Sequence, residues 1–380
     1  MAKIEKKDTE LIKLSQKWMT KFPPSFLGYI SSGSIGFDYL FDGGFPLGKI
    51  GGLWSPPGIG KSLICMFVLK GVLDNDPNAV AVCIDAEISV DKKILGDMGF
   101  FKDGWQDVLR KSKATGKDVE LNDLLKPEYQ GRFILVTVDT YEDADAVISE
   151  YADSRKFGGK LRLRIIVIDS FTELQPRAIV EEESHRIAAK AGADVLFCHR
   201  IKSMANLNQF GILVVVQEGS NFSTSKGPAS KYAPSTKAKG SRAFLHALHY
   251  LYVVKMTQGI KDAKGNKVGA WVNLSSSGLS EKNKICGNRS VKLCLKYGYG
   301  ISNIQTVIGM IKWLGIVTKA GTYFTAKHEA LDFGEGLGKP VTVQGNTALE
   351  DLISSNFGAV MDYCIQSKKM EEYFNSSDEE

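Results

Sequence analysis

Between residues 30 and 300, short apolar runs rich in β-branched residues alternate with stretches of helical periodicity. Ile50–Trp54, Ala79–Ile84, Phe133–Val138, Ile165–Ile168 and Ile212–Val216 are continuously apolar rather than alternating. Strands buried on both faces read this way, and when helices join them they form a parallel sheet. The predicted fold class is α/β with a mostly parallel central sheet, which binds ligands at the carboxyl ends of its strands. Residues 1–22 place Ile4, Leu11, Ile12, Trp18 and Met19 at near-heptad spacing, predicting an amphipathic helix that stops at Pro23-Pro24. Its apolar stripe must be buried on its own core or on a neighbouring copy. Gly99–Gly131 is charged and irregular, and reads as a surface insertion. Past residue 303 the pattern predicts a helix over Ile304–Trp313, a small hairpin over Gly315–Phe324 and a helical region over 347–366. Met370–Glu380 is acidic, poor in aliphatics and predicted to be disordered. The expected division is an N-terminal segment 1–29, a core 30–302, a small α+β C-terminal domain 303–369 and a tail 370–380.

Composition narrows the class. A chain of 380 residues with 43% hydrophobic and 24% charged residues has room for one large core with smaller ends. No apolar run approaches the ~20 residues of a membrane span, and the start Met-Ala-Lys-Ile-Glu-Lys-Lys has no signal-peptide core. The expectation is a cytoplasmic protein with no membrane partner. The six cysteines lie far apart with no Cys-x-x-Cys pair, which favours reduced, mostly buried thiols over a metal site. A net charge of +5 is too mild to identify a nucleic-acid partner by itself.

The candidate chemistry gathers at the strand ends. Ser55, Pro56, Pro57, Gly58, Ile59, Gly60, Lys61 and Ser62 stand between an apolar strand and a helix, as in a phosphate-cradling loop. Backbone N–H groups, the helix dipole and Lys61 favour phosphate there, and Ser62 suits the shell of Mg²⁺. The cofactors read from it are a nucleoside triphosphate and Mg²⁺. Ser55 occupies the position where the standard pattern begins with Gly. Asp169 ends the run Ile165–Ile168, where its carboxylate can hold a water of the Mg²⁺ shell opposite Ser62. Glu87 follows Ile84-Asp85-Ala86 and, on a strand adjacent to the loop, is placed to orient the attacking water; a surface carboxylate is the alternative. Gln217, closing Ile212–Val216, is suited to sense the γ-phosphate. Residues 218–242 read as a long loop carrying Phe222, Lys226, Lys231, Tyr232, Lys237, Lys239 and Arg242 against one acid, Glu218. Cations with interleaved aromatics suit single-stranded nucleic acid, although a solvated flexible loop has the same composition. Its place directly after Gln217 favours the former, with nucleotide ordering the loop. Lys282 and Lys284, at i and i+2 of an expected strand, point one way and could reach the nucleotide of an adjacent copy; a solvated edge strand is the alternative.

These elements in this order resemble the bacterial and phage RecA recombinase family, including its UvsX branch, over about Ile30–Phe324. The segments that carry the resemblance are Ser32–Asp38, Ser55–Ser62, Asp85-Ala-Glu87, Ile166–Pro176, Glu281-Lys-Asn-Lys-Ile285 and Tyr297–Ser302. It implies a RecA-like ATPase core, helical filaments on single-stranded DNA, pairing with homologous double-stranded DNA, strand exchange and DNA-stimulated ATP hydrolysis. Glu87 stands at the family's catalytic carboxylate, Asp169 at its Mg²⁺-water ligand, and Asp91 where the family contacts adenine. Lys282 and Lys284 match the pair inserted across the filament interface. Residues 176–190, with Arg177 and Lys190, and residues 218–242 match the two DNA-binding loops. The N-terminal helix would pack on the next subunit. The acidic tail would temper DNA access or meet accessory partners such as single-strand-binding and mediator proteins. Departures are Ser55, Ile94 where an aromatic often stacks on adenine, Glu181-Glu-Glu183 in the first loop, and a choice between Gln217 and Glu218 for the sensor. Two other readings of the same core are a hexameric DNA helicase or translocase and a scaffold that uses ATP only to assemble.

Overall fold

Tyr29–Ile30 (β1) pairs with Phe45–Pro46 (β2) in a short ribbon that leads into an 11-stranded sheet. Its strands are Ile50–Ser55 (β3), Ala79–Asp85 (β4), Phe133–Val136 (β5), Arg162–Asp169 (β6), Gly211–Ser220 (β7) and Thr236–Ala238 (β8). Tyr250–Lys261 (β9), Lys267–Ser275 (β10), Lys282–Asn283 (β11), Ser290–Lys296 (β12) and Gly300–Ile301 (β13) complete it. The computed structural model describes residues 28–41, 43–153, 159–182, 187–220, 236–239, 242–262, 264–276 and 282–376.

The order β13-β12-β10-β9-β3-β7-β6-β4-β5 puts six strands, β9 to β5, in one parallel block, as the continuous apolar runs predict. The other half departs from that pattern. β10, β12 and β13 run antiparallel, and β9 is buried over its first five residues and largely exposed over the rest. Helix Lys61–Asn75 packs on one face of the sheet; helices Tyr141–Ala152 and Ile187–Asn208 cover the other. Two glycines set the fit of the first layer. A methyl group on Gly71 would sit 1.8 Å from the Ser32 carbonyl oxygen, and one on Gly51 would sit 2.3 Å from the Tyr250 ring.

Past Ser302, helix Asn303–Trp313 lies beside a three-stranded sheet of Val317–Ala320 (β14), Tyr323–Ala326 (β15) and Val341–Gln344 (β16). The predicted hairpin therefore gains a third strand. The predicted helical region 347–366 is two helices, Asn346–Ser355 and Phe357–Gln366, broken at Asn356. These elements share one apolar cluster with the Lys61–Asn75 face of the core.

Two expectations are corrected. Gly99–Gly131 is not irregular: Trp105–Thr115 and Leu121–Leu124 are helices, and Phe100, Phe101, Leu124, Leu125 and Tyr129 are buried in the core. The start of the tail is ordered too. Lys369–Ser376 is a helix whose Tyr373 and Phe374 are buried, and the Phe374 carbonyl accepts from Ser290 Oγ at 3.2 Å. Two aromatic anchors suffice to hold an acidic segment that has few aliphatics. The predicted N-terminal helix and residues 377–380 lie outside the described residues. All six cysteines are free thiols, five of them buried. Among the described residues no helix is long and apolar enough to cross a membrane.

Candidate nucleotide site

β3 ends at Ser55, the chain turns through Gly58 (φ +78°) and Gly60 (φ +103°), and a helix opens at Lys61. Only glycine adopts these values without strain. Lys61 is buried, and its ammonium donates to the Ser55 carbonyl at 2.8 Å, Ser55 Oγ at 3.1 Å and the Pro56 carbonyl at 3.0 Å. Burial pulls its pKa below the usual lysine range, against the opposing pull of Asp169 and Glu87. A cation held on its own loop is ready to transfer those donors to an anion.

Asp169 closes β6 and is also buried. Burial pushes its carboxyl up to about 6; a hydrogen bond from Ser62 opposes the rise, and the nearby Glu87 and Asp85 charges add to it. Its Oδ1 is buried with no hydrogen-bond partner. An unpartnered carboxylate oxygen beside a serine hydroxyl is a hard-oxygen pair of the kind that fits Mg²⁺.

Glu87 does not arrive on an adjacent strand, as the sequence suggests. β7 and β6 lie between β3 and β4. The turn after β4 instead folds back across β6, where Ala86 N and Glu87 N both donate to the Asp169 carbonyl, at 2.7 and 3.2 Å. Glu87 Oε1 then accepts from Ser170 Oγ at 2.9 Å and from the Gln217 amide. The carboxylate and the Gln217 amide are thus in direct contact. A cavity of about 950 Å³, large enough for a nucleotide, is lined by the phosphate loop together with Glu87, Ile94, Asp169, Glu173, Gln217 and Tyr297. Asp91 is not among its lining residues. It caps helix Lys92–Asp97, accepting from Lys93 N at 2.9 Å.

No family model matches the chain. Among curated proteins it is 24% identical to the chloroplastic DNA repair protein recA homolog 1 of Arabidopsis thaliana, over 87% of this chain and 66% of that one. It is 23% identical to Protein RecA of Synechococcus sp. strain CC9311, over 81% of this chain and 68% of that one. It is 25% identical to Protein RecA of Caulobacter vibrioides strain NA1000, over 78% of this chain and 71% of that one. The chain is a relative of the RecA proteins. It spans about two thirds of the length of these curated relatives, which are plastid and bacterial rather than phage proteins.

In this RecA relative the remaining candidates fall into two groups. Residues 176–190 are not a simple loop: Arg177–Glu182 and the start of Ile187–Asn208 are helical. Arg177 is paired with Asp143 at 2.6 Å, and Lys190 Nζ donates to the Thr172 carbonyl at 3.0 Å. Residues 218–242 are less open than composition implies, because β7 runs on to Ser220 and β8 returns against it. Lys237 lies on β8, Lys239 just after it, and Arg242 opens helix Arg242–Ala247. Phe222, Lys226, Lys231 and Tyr232 lie outside the described residues. Lys282 and Lys284 do not share one environment. Lys282 is half-buried on β11, its ammonium on the Leu245 carbonyl, and burial together with Lys284 and Lys202 lowers it to about 8. Lys284 begins a turn and is exposed. Its N–H donates to the His249 carbonyl, and His249 N–H donates to Ile50, where β3 starts. Both lysines therefore stand towards the amino ends of the parallel strands, away from the cavity.

Sequence reasoning missed Ser170 and Glu173. Each is a common polar residue whose place depends on strands far apart in the chain, so no local signal marks them. Ser170 and Glu173 within Ile166–Pro176, like Tyr297 within Tyr297–Ser302, were visible only in segments that carry the family resemblance.

Proposed function

We propose that the chain is an ATP-dependent homologous recombination protein that polymerises on single-stranded DNA, pairs it with a homologous duplex and exchanges strands. The backbone N–H groups of Gly58–Ser62 and the Lys61 ammonium receive the phosphates. Ser62 and Asp169 would hold Mg²⁺, which neutralises charge on the phosphate oxygens. Glu87 orients and deprotonates the attacking water, and the Gln217 amide turns to the terminal phosphate when it is present. Asp91, outside the cavity lining, would meet the base. Lys190, Arg177, Lys237, Lys239 and Arg242, with the cations and aromatics of 221–235, meet DNA. Lys282 and Lys284 reach the nucleotide of the next copy, so nucleotide binding and polymer growth are coupled. In the same reading, residues 30–302 are the ATPase core and 303–369 a small C-terminal domain.

The observation that carries this is the Glu87–Gln217 contact, made in the cavity that also holds Lys61, Ser62 and Asp169. It joins a hydrolytic group to the strand that leads into the cationic hairpin. ATP turnover with and without single-stranded DNA tests it: DNA should raise the rate, and a rate indifferent to DNA would overturn the reading. Lys61→Ala should abolish turnover. Glu87→Gln should leave nucleotide binding intact and stall hydrolysis.

A further inference from the structure

Lys239 follows β8, and its N–H donates to the Gln217 carbonyl at 2.8 Å, which fixes its backbone beside the end of β7. Its ammonium donates to Gln217 Oε1 at 3.3 Å and lies 3.8 Å from Glu173, a lining residue of the nucleotide cavity. The consequence for Gln217 is geometric. With its oxygen taken by a cation, its amide nitrogen is the end left to face Glu87, and there it donates to Oε1. The same Oε1 accepts from Ser170, so both of its in-plane lone pairs are occupied. Oε1 filled in this way has no site left for a water proton, so only the second carboxylate oxygen, Oε2, can accept one and the base works at reduced capacity.

We propose that Lys239 is a removable clamp: without nucleic acid it holds Gln217 against Glu87, and a backbone phosphate of single-stranded nucleic acid draws it off Gln217 and Glu173. This rests on the hydrolytic reading of the site. The ion pair is suited to exchange, because its side chains are 49% and 40% exposed and such pairs are weak and screened. A second cation stands by. Lys190 Nζ is anchored on the Thr172 carbonyl, one residue before Glu173, and Lys239 and Glu173 both act on its charge. An arriving phosphate would therefore meet two ammonium groups, one from each segment implicated in DNA contact. Release of Lys239 lets the Gln217 amide rotate away and frees Glu87 Oε1 for water.

The test is ATP turnover by the full chain, with and without a polythymidine oligonucleotide, in wild type, Lys239→Ala and Lys239→Arg. Loss of the clamp should raise the DNA-free rate about 3- to 10-fold, the equivalent of one hydrogen bond, and lower the stimulation ratio correspondingly. Lys239→Arg, which still donates to the Gln217 oxygen, should behave as wild type. A DNA-free rate that is unchanged or falls in Lys239→Ala overturns the proposal, since simple damage to the hairpin cannot accelerate turnover. Oligonucleotide affinity against salt concentration gives a readout independent of hydrolysis. Lys239→Ala should reduce the slope by about one phosphate contact, and an unchanged slope also overturns the clamp. A wild type indifferent to DNA would instead sink the reading of the site, and the salt slope would still decide whether Lys239 meets phosphate.

Discussion

Lys282 is a cation whose surroundings disfavour its charge. Its ammonium is half-buried and lies near two other lysines, and these hold its pKa to about 8. Burial and like charge both favour the neutral form, so the isolated copy loses this charge as pH rises through about 8. A neighbour's phosphates favour the charged form, so assembly through Lys282 must take up a proton above that pH. Nucleotide-dependent assembly should therefore weaken as pH rises past 8, approaching about tenfold per unit. Lys282→Arg, charged throughout, should flatten the profile, and Lys282→Ala should remove cooperativity while sparing nucleotide binding by single copies. Light scattering between pH 7 and pH 9 checks both; a flat wild-type profile would deny Lys282 the role. The residue scale was also where the sequence was most legible. Lys61, Ser62 and Asp169 stand out as candidates because each sits at a strand or helix end with a fixed spacing, and the fold brings all three to one cavity. Glu87 stands out as a candidate as well, although its route to the cavity does not: two strands intervene, the turn after β4 is bonded to Asp169 on β6, and only the Glu87 side chain reaches on to Gln217 of β7.

Elements were legible where burial is two-sided. β3, β4, β6 and β7 lie inside the sheet, and their residues are apolar in unbroken runs. β9, β10 and β12 hide from the same reasoning because their burial changes along the strand or alternates. The acidic C-terminal segment gives the clearest lesson. Charge composition suggests a free tail, yet Phe374 is 1% exposed and packs against Tyr39 and Tyr373. Phe374→Ala should cost about 3–5 kcal/mol of stability, as truncation of a buried phenylalanine usually does. A denaturant titration measures this, and a loss below about 0.5 kcal/mol, the range of a surface substitution, would mean the segment is not docked.

At the scale of the whole molecule, the parallel strands have two functional ends. The phosphate loop, Asp169 and Glu87 gather at the carboxyl ends, whereas Lys282 and Lys284 stand towards the amino ends. Within one copy these groups do not meet. If the lysines complete a nucleotide site, it belongs to another copy, and the contact is head to tail. Head-to-tail contacts use two different patches, and they either close into rings or propagate as open helices. Negative-stain electron microscopy with single-stranded DNA and a non-hydrolysable ATP analogue separates these outcomes. The account predicts open helical filaments that require both DNA and nucleotide. Closed rings, or isolated particles under the same conditions, would contradict it.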